Sequence, residues 1–583
     1  MGKQKKERTN PESYRRIGRY MKKGWYLYLM GFATMGSLIW LGVLGPRIIQ
    51  QIIDDVIIGE NLEVLTHLLI CLVLVGAGKA LSGYLKEVSF DLAGSKVAKG
   101  LRNALFHHLQ KMDVGFFEHN NVGELMARIN DDVERIWGIT GFIGMLIVES
   151  VIQTICVMFC MARINPLLTL IPLCTLPLVG YTAVRLENQI DKSYDKISET
   201  NAELTSVAQQ NIFGVRTVRA FAREAYEMRK FRRLNEQYCA ENINRSRVTA
   251  KWEPNISFYS RTMLVLVIVV GGICVMYEKI TLGELGAFTE YANSIIWPME
   301  CLGWLSNEVA SSIASNRKIQ KLFEAQETVV DDPQAVPLQV TEGQVTFEHV
   351  GFAPDGQQVL EDISFIVKPG QTLGIMGLTG SGKTTIVNLL ERFYETDQGR
   401  ILVDGQDIRQ VTVHSLRQSV AVVMQDVFLF SDSIRENLRM GRRRKHQSER
   451  QLQDALQTAC AADFVEKLPD GVDTVIGERG VGLSGGQKQR ISMARAFAHQ
   501  CPILVLDDAT SALDMETAGT VQQNFHQMKQ VTKLIIAHRI SSVSQADEII
   551  ILDQGRIVER GTHAELLAKQ GQYYQTWVAQ YGE

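Results

Sequence analysis

Thr372-Leu373-Gly374-Ile375-Met376-Gly377-Leu378-Thr379-Gly380-Ser381-Gly382-Lys383-Thr384-Thr385 decides the fold of the C-terminal part of the chain. The first five residues read as a strand, and a helical pattern begins at Ile386. Between them stands G-x-x-x-x-G-K-[ST], in the strand–loop–helix setting that gives this motif its meaning. Glycines let such a loop close around phosphate oxygens. Its backbone N–H groups and the following helix N-terminus supply the positive potential. Lys383 is expected to reach the β- and γ-phosphates of a nucleotide, and the Thr384 hydroxyl to bind Mg²⁺. Gly377, Leu378, Thr379, Gly380, Ser381, Gly382, Lys383, Thr384 and Thr385 are therefore the candidate ATP-binding loop.

Two downstream segments complete a nucleotide site. Ile503-Leu504-Val505-Leu506 is an apolar strand that ends in Asp507-Asp508. A carboxylate at the end of a buried strand beside a phosphate loop holds Mg²⁺, so Asp507 is the candidate metal residue. Asp508 stands where a nucleotidase places its general base. Leu483-Ser484-Gly485-Gly486-Gln487 precedes a helical run. A serine and two glycines at a helix start make a second anion-binding N-terminus.

The rest of the chain is of another kind. Over 583 residues the net charge is −3 and charged residues are only 21%. Mean hydropathy is −0.02 and the pI about 6.5, which gives no sign of a nucleic-acid partner. The average conceals long apolar runs. Residues 24–45 and 164–184 carry no charge, 136–162 is broken only by Glu149, and 262–277 is uncharged. Residues 64–85, interrupted by Lys79, and 285–306, interrupted by Glu290 and Glu300, are weaker. A spanning helix needs about 20 apolar residues, so six spans are expected. Lysines and arginines crowd residues 3–23, which places that end in the cytoplasm. No cleavable signal peptide is expected. An even number of spans returns the nucleotide site to the cytoplasm. The nine cysteines show no CxxC spacing and read as small hydrophobes.

These features divide the chain into a basic cytoplasmic N-terminus (1–23), a six-helix membrane domain (24–323), a proline-containing linker (324–342) and an α/β nucleotide-binding domain (343–583). The expected fold class is an all-α membrane domain followed by an α/β P-loop ATPase domain. The stretches between spans at 86–135 and 185–261 are long, charged and helical in pattern, and both fall on the cytoplasmic side. Each carries an apolar island, Val114-Gly115-Phe116-Phe117-Glu118 and Ile212-Phe213-Gly214-Val215, expected to dock on another domain. Glu149, Glu290 and Glu300 are candidates for lining a polar cavity that attracts a cationic amphiphile; the alternative is a place near the membrane edge or pairing with Lys79 or Arg261. Trp252, Phe258, Tyr259, Trp297 and Trp304 are either an aromatic substrate pocket or interface anchors or core.

The C-terminal motifs resemble the nucleotide-binding domain of an ABC transporter. The whole chain resembles a bacterial ABC exporter half-transporter of the multidrug or lipid type. Gly123-Glu124-Leu125 with Arg128 and Asp131-Asp132-Val133, and Phe213-Gly214-Val215-Arg216-Thr217-Val218-Arg219-Ala220-Phe221, extend that likeness through both long loops. The resemblance implies further roles. Gln425 touches Mg²⁺ and the attacking water, and His538 contacts the γ-phosphate. Residues 511–514 cross a dimer interface, and Gly477-Glu478-Arg479-Gly480 meets the partner. Two such domains bind head to tail. Each ATP then lies between one chain's phosphate loop and the other chain's Ser484, Gly485, Gly486 and Gln487. Residues 114–118 and 211–215 fall at the helices that couple the domains.

Two positions depart from the family pattern. The family most often has glutamate where this chain has Asp508. It commonly has a tyrosine before the proline of a Val-x-Phe-x-Tyr-Pro run, stacked on adenine, whereas this chain reads Val350-Gly351-Phe352-Ala353-Pro354. Phe352 is expected in the strand core. Both departures weaken this chain's own ATP site and leave residues 483–487 intact. That asymmetry resembles one subunit of a heterodimeric multidrug exporter, partnered by a different half-transporter that carries the glutamate base. A homodimeric drug or lipid flippase with a slow aspartate, and a regulatory ATP-binding membrane subunit that gates a partner, remain open. The expected ligands are ATP, Mg²⁺, membrane lipids and a hydrophobic or amphiphilic small molecule.

Overall fold

The computed structural model describes residues 11–440, 448–477, 480 and 482–582. The chain forms two compact units: Met1–Lys111 with Asn121–Ala325, and Met112–Asn120 with Gln326–Glu583.

The first unit is helical. Among the described residues, five helical stretches are long and apolar enough to cross a membrane: Trp25–Ile58, Leu62–Leu109, Val122–Ile164, Leu170–Phe213 and Glu224–Met276. Their apolar side chains face outward, as at Leu69, Ile70, Val73 and Leu74, which suits a hydrocarbon solvent. The 48 residues of Leu62–Leu109 extend about 72 Å at 1.5 Å per residue, more than twice a hydrocarbon core of about 30 Å.

Two span limits differ from expectation. The fourth span begins at Leu170, not 164. Asn165 caps the preceding helix, and its side-chain oxygen accepts from Leu167 N and Leu168 N, both at 3.0 Å. The uncharged run thus passes through a turn that hydropathy cannot register. The sixth expected span, 285–306, straddles a break at Cys301. Leu282–Glu300 ends there and Leu302–Glu324 begins. Pro298 cannot donate a backbone hydrogen bond just before the break, and Glu284, Glu290 and Glu300 dilute the hydropathy of the segment.

Among its described residues the second unit holds ten strands: β1 (Val345–Phe352), β2 (Leu360–Val367), β3 (Thr372–Gly377), β4 (Gln398–Val403), β5 (Gln406–Asp407), β6 (Val420–Val423), β7 (Ile503–Asp507), β8 (Thr532–Ile536), β9 (Glu548–Asp553) and β10 (Arg556–Gly561). One sheet has the order β2-β1-β4-β5 and is antiparallel. The other has the order β10-β9-β3-β8-β7-β6, with parallel pairing from β9 to β6. β7 and β8 are buried at every residue, as strands covered on both faces must be. Their near-continuous Ile, Leu and Val content follows from that. The carboxyl ends of β3, β8, β7 and β6 lie side by side, the edge of a parallel sheet where loops build ligand sites.

Residues 112–120 pack with the second unit. Val114–His119 forms a short helix, with Asp113 accepting from Phe116 N at 2.8 Å. The same carboxylate accepts from Thr328 N at 2.9 Å, and Tyr394 donates to Glu118 at 2.6 Å. The second apolar island is exposed in the single chain, with Phe213 at 87% and Ile212 at 72%.

Candidate nucleotide site

β3 delivers the phosphate loop into a tight bend. Gly377 has φ +153° and Gly382 φ +99°. A Cβ at Gly377 would lie 2.2 Å from Leu552 O, and one at Gly382 2.5 Å from Leu360 Cδ2. Only glycine fits at these two points. Gly382 caps the helix Lys383–Leu390, so the N-terminal N–H groups of that helix open toward the loop. Lys383 Nζ donates to Gly377 O at 2.9 Å and to Leu378 O at 2.7 Å. Burial pulls the Lys383 ammonium below its ordinary range, and the charges of Asp507 and Asp508 oppose that shift. Leu378, Thr379 and Gly380 form an exposed tip, and Thr384 and Thr385 lie in the first helical turn. The Ser381 hydroxyl is buried without a hydrogen-bond partner among the described residues. An orphaned hydroxyl inside a glycine cradle with an ammonium at its mouth fits a phosphate chain.

Asp507 ends β7 and is 4% exposed. Burial raises its carboxyl above the usual range, the nearby Thr384 hydroxyl opposes that shift, and the Asp508 charge raises it further. Thr384 and Asp507 thus lie near one another, an oxygen pair of the kind that suits Mg²⁺. Asp508 follows in a left-handed conformation, φ +46°. Its N–H donates to Ile536 O at 2.9 Å, and its carbonyl accepts from Ser511 Oγ at 2.9 Å. The backbone at Asp508 is therefore fixed on both sides.

Gln425 and His538 follow the neighbouring strands. Val423, the last residue of β6, is opposite Leu506, and Gln425 lies two residues beyond it in the loop that leaves the strand. Gln425 is exposed. Ile536 is opposite Asp507, and His538 follows two residues on, near enough for its charge to lower the Asp507 carboxyl. Phe352 is the last residue of β1 and is 8% exposed, with its ring 5.6 Å from that of Tyr394. The next residue, Ala353, has no ring.

Ser484 caps the helix Gly485–His499 through a reciprocal pair: Gln487 N to Ser484 Oγ at 3.3 Å, and Ser484 N to Gln487 Oε1 at 2.9 Å. Among the described residues, no hydrogen bond or ion pair joins Ser484, Gly485, Gly486 or Gln487 to the phosphate loop of the same chain. Ser484 and Gly485 are exposed. Glu478 and Arg479 lie outside the described residues.

Two glutamines hold the site loops without any motif to announce them. Gln489, 5% exposed, donates to Ser511 Oγ at 3.1 Å and accepts from Ala512 N at 3.0 Å. Gln580, on the C-terminal helix Gln572–Tyr581, donates to His538 O at 2.7 Å and accepts from Ile540 N at 2.9 Å. The spacing of Gln489 from residues 483–487 was the one available signal; Gln580 gave none.

Among the aromatic residues, Phe258, Trp297 and Trp304 are exposed at 63%, 53% and 42% in the single chain, and Trp252 donates to Gln189 Oε1 at 3.0 Å. Glu149 pairs with Lys86 at 2.7 Å, not with Lys79 or Arg261.

Residues 27–299 match the family model of the ABC transporter transmembrane region, and residues 360–511 match that of the ABC transporter. The chain is 34% identical over 580 residues to the ABC transporter ATP-binding protein YknU of Bacillus subtilis (strain 168), covering 98% of each. It is 34% identical over 537 residues to the ATP-dependent lipid A-core flippase of Syntrophus aciditrophicus (strain SB), covering 92% of this chain and 89% of that one. A solved structure of a bacterial Atm1-family ABC exporter with ATP bound superposes with a TM-score of 0.79 at 28% identity, over 97% of this chain and 99% of that one. A helical membrane region, an α/β unit with its loops gathered on one sheet edge and full-length relatives all agree: the chain belongs to the ABC transporters, as an ATP-hydrolysing exporter half-transporter that crosses the membrane several times and carries its nucleotide-binding domain in the cytoplasm.

Proposed function

We propose that this chain is the catalytically weak half of a heterodimeric exporter of amphiphilic drugs or lipids. Residues 24–323 are its membrane domain, 324–342 its linker and 343–583 its nucleotide-binding domain. The reading rests on one observation. Asp508 is one methylene shorter than glutamate, on a backbone that hydrogen bonds on both sides keep from advancing. A general base must lie within hydrogen-bond reach of its water.

In this reading Lys383 and the N–H groups of residues 377–385 bind the phosphates. Thr384, Gln425 and Asp507 hold Mg²⁺, and His538 faces the terminal phosphate. Bound MgATP supplies a phosphoanhydride whose closure of the domain pair, and later cleavage, drives the membrane helices. Ser484, Gly485, Gly486 and Gln487, which make no hydrogen bond to this chain's own loop among the described residues, complete the partner's site. The exposed 211–215 island suits docking on that partner. The lipid A-core flippases among the relatives favour a lipid or a lipid-like amphiphile.

Inside-out membrane vesicles holding the chain with its partner test transport directly. ATP-dependent uptake of a fluorescent amphiphile is expected, with loss of nucleotide binding at this chain's site in Lys383→Met. Uptake that proceeds equally without ATP refutes the reading.

A further inference from the structure

We propose that a cavity inside the membrane unit recognises the headgroup of a zwitterionic amphiphile; this rests on the exporter reading and names its substrate class. The cavity has a volume of about 530 Å³ and is lined by Lys79, Glu149, Gln153, Glu290 and Ser294 among apolar residues. Charges at this depth are costly unless paired or used.

One pair is already satisfied. Glu149 Oε2 lies 2.7 Å from Lys86 Nζ, with the side chains only 15% and 7% exposed. That contact cancels one acid against one base. Lys79 and Glu290 remain, each facing the same cavity, and neither has a hydrogen-bond or ion-pair partner among the described residues. At 1.5 Å per residue, Glu290 lies about 12 Å from the outer end of Leu282–Glu300 and Lys79 about 26 Å from that of Leu62–Leu109. No ion pair joins the two among the described residues, so they stand as two separate poles on two helices.

The cavity therefore offers one negative and one positive pole with no net charge. A cationic amphiphile would satisfy Glu290 and leave Lys79 unpaired and repelled. An anionic one would do the reverse. A headgroup with both an ammonium and a phosphate or carboxylate satisfies both, while Gln153 and Ser294 serve its neutral oxygens. Each mismatch leaves one of the two charges without a partner in the cavity, which disfavours the wrong headgroup.

The test uses the full chain in nanodiscs and three probes that share one tail: dodecylphosphocholine, dodecyltrimethylammonium and dodecyl phosphate. Each competes with a fluorescent amphiphile without ATP. The zwitterion is expected to bind about tenfold or more tighter than either singly charged probe, the equivalent of one charge left unpaired. Lys79→Gln is expected to bring the cation level with the zwitterion, and Glu290→Gln the anion. Equal binding of all three by the wild type, or an unchanged ranking in both variants, overturns the proposal. Should a variant fail to fold, the wild-type ranking alone decides. ATP-driven uptake measured on the same preparations separates the two readings: transport without headgroup ranking sinks only this one.

Discussion

Replacing Asp508 by glutamate should raise hydrolysis by this chain alone. The backbone at that position is pinned by Asp508 N to Ile536 O at 2.9 Å and by Ser511 Oγ to Asp508 O at 2.9 Å. The register of β7 with β8 fixes the strand behind it. The carboxylate can therefore gain reach only through its side chain, and one methylene adds about 1.3 Å. A misplacement on the ångström scale costs about 100-fold in rate, equivalent to about 2.7 kcal/mol of activation free energy. Glutamate tolerates the left-handed φ of +46° less well than aspartate, at a cost of about 1 kcal/mol, which does not cancel the gain. Steady-state ATP hydrolysis by the purified full chain in nanodiscs is the assay, with nucleotide affinity measured in parallel. Wild type and Asp508→Asn should be similarly slow, and Asp508→Glu about 100-fold faster at unchanged affinity. Wild-type turnover equal to that of Asp508→Glu would refute the reach argument and leave a working homodimer.

Two further perturbations act through buried polar groups. Glu391, 5% exposed, is pushed by burial from 4.5 up to about 8, against the pull of Arg417. Its folded value lies above its unfolded one, so its contribution is fully present below about pH 4.5 and is lost as pH rises to about 8. At about 1.4 kcal/mol per tenfold the loss reaches on the order of 5 kcal/mol. Thermal unfolding of the nucleotide-binding domain, followed in the full chain, should thus fall in temperature between pH 5 and pH 8. Glu391→Gln should flatten that slope, and an unchanged slope argues against a protonated Glu391. Gln489→Ala removes two hydrogen bonds to the 511–512 loop and leaves Ala512 N–H unpaired, at about 1–3 kcal/mol. Hydrolysis with the partner should drop while ATP affinity at residues 377–385 holds; equal losses of both would mean general unfolding.

Much of the molecule was written locally. The phosphate loop is legible because its glycines meet a steric demand that no other residue satisfies, at Gly377 and Gly382. Strand β7 is legible because burial on both faces requires an unbroken apolar run. The firm spans are legible because hydrocarbon thickness sets their length. The turn at 165–169 and the break at Cys301 were not. Each depends on side-chain hydrogen bonding or a missing N–H, to which a hydropathy window is blind.

Sequence alone determined the class of each half, because short-range periodicity and motif spacing are imposed by backbone geometry. Tertiary structure alone decided what depends on residues far apart in the chain. It brought His538 beside Asp507 and gave Gln489 and Gln580 their work. It also paired Glu149 with Lys86 across 63 residues, leaving Lys79 and Glu290 to the cavity. Which charge neutralises which is fixed by helix packing, and no local pattern encodes it.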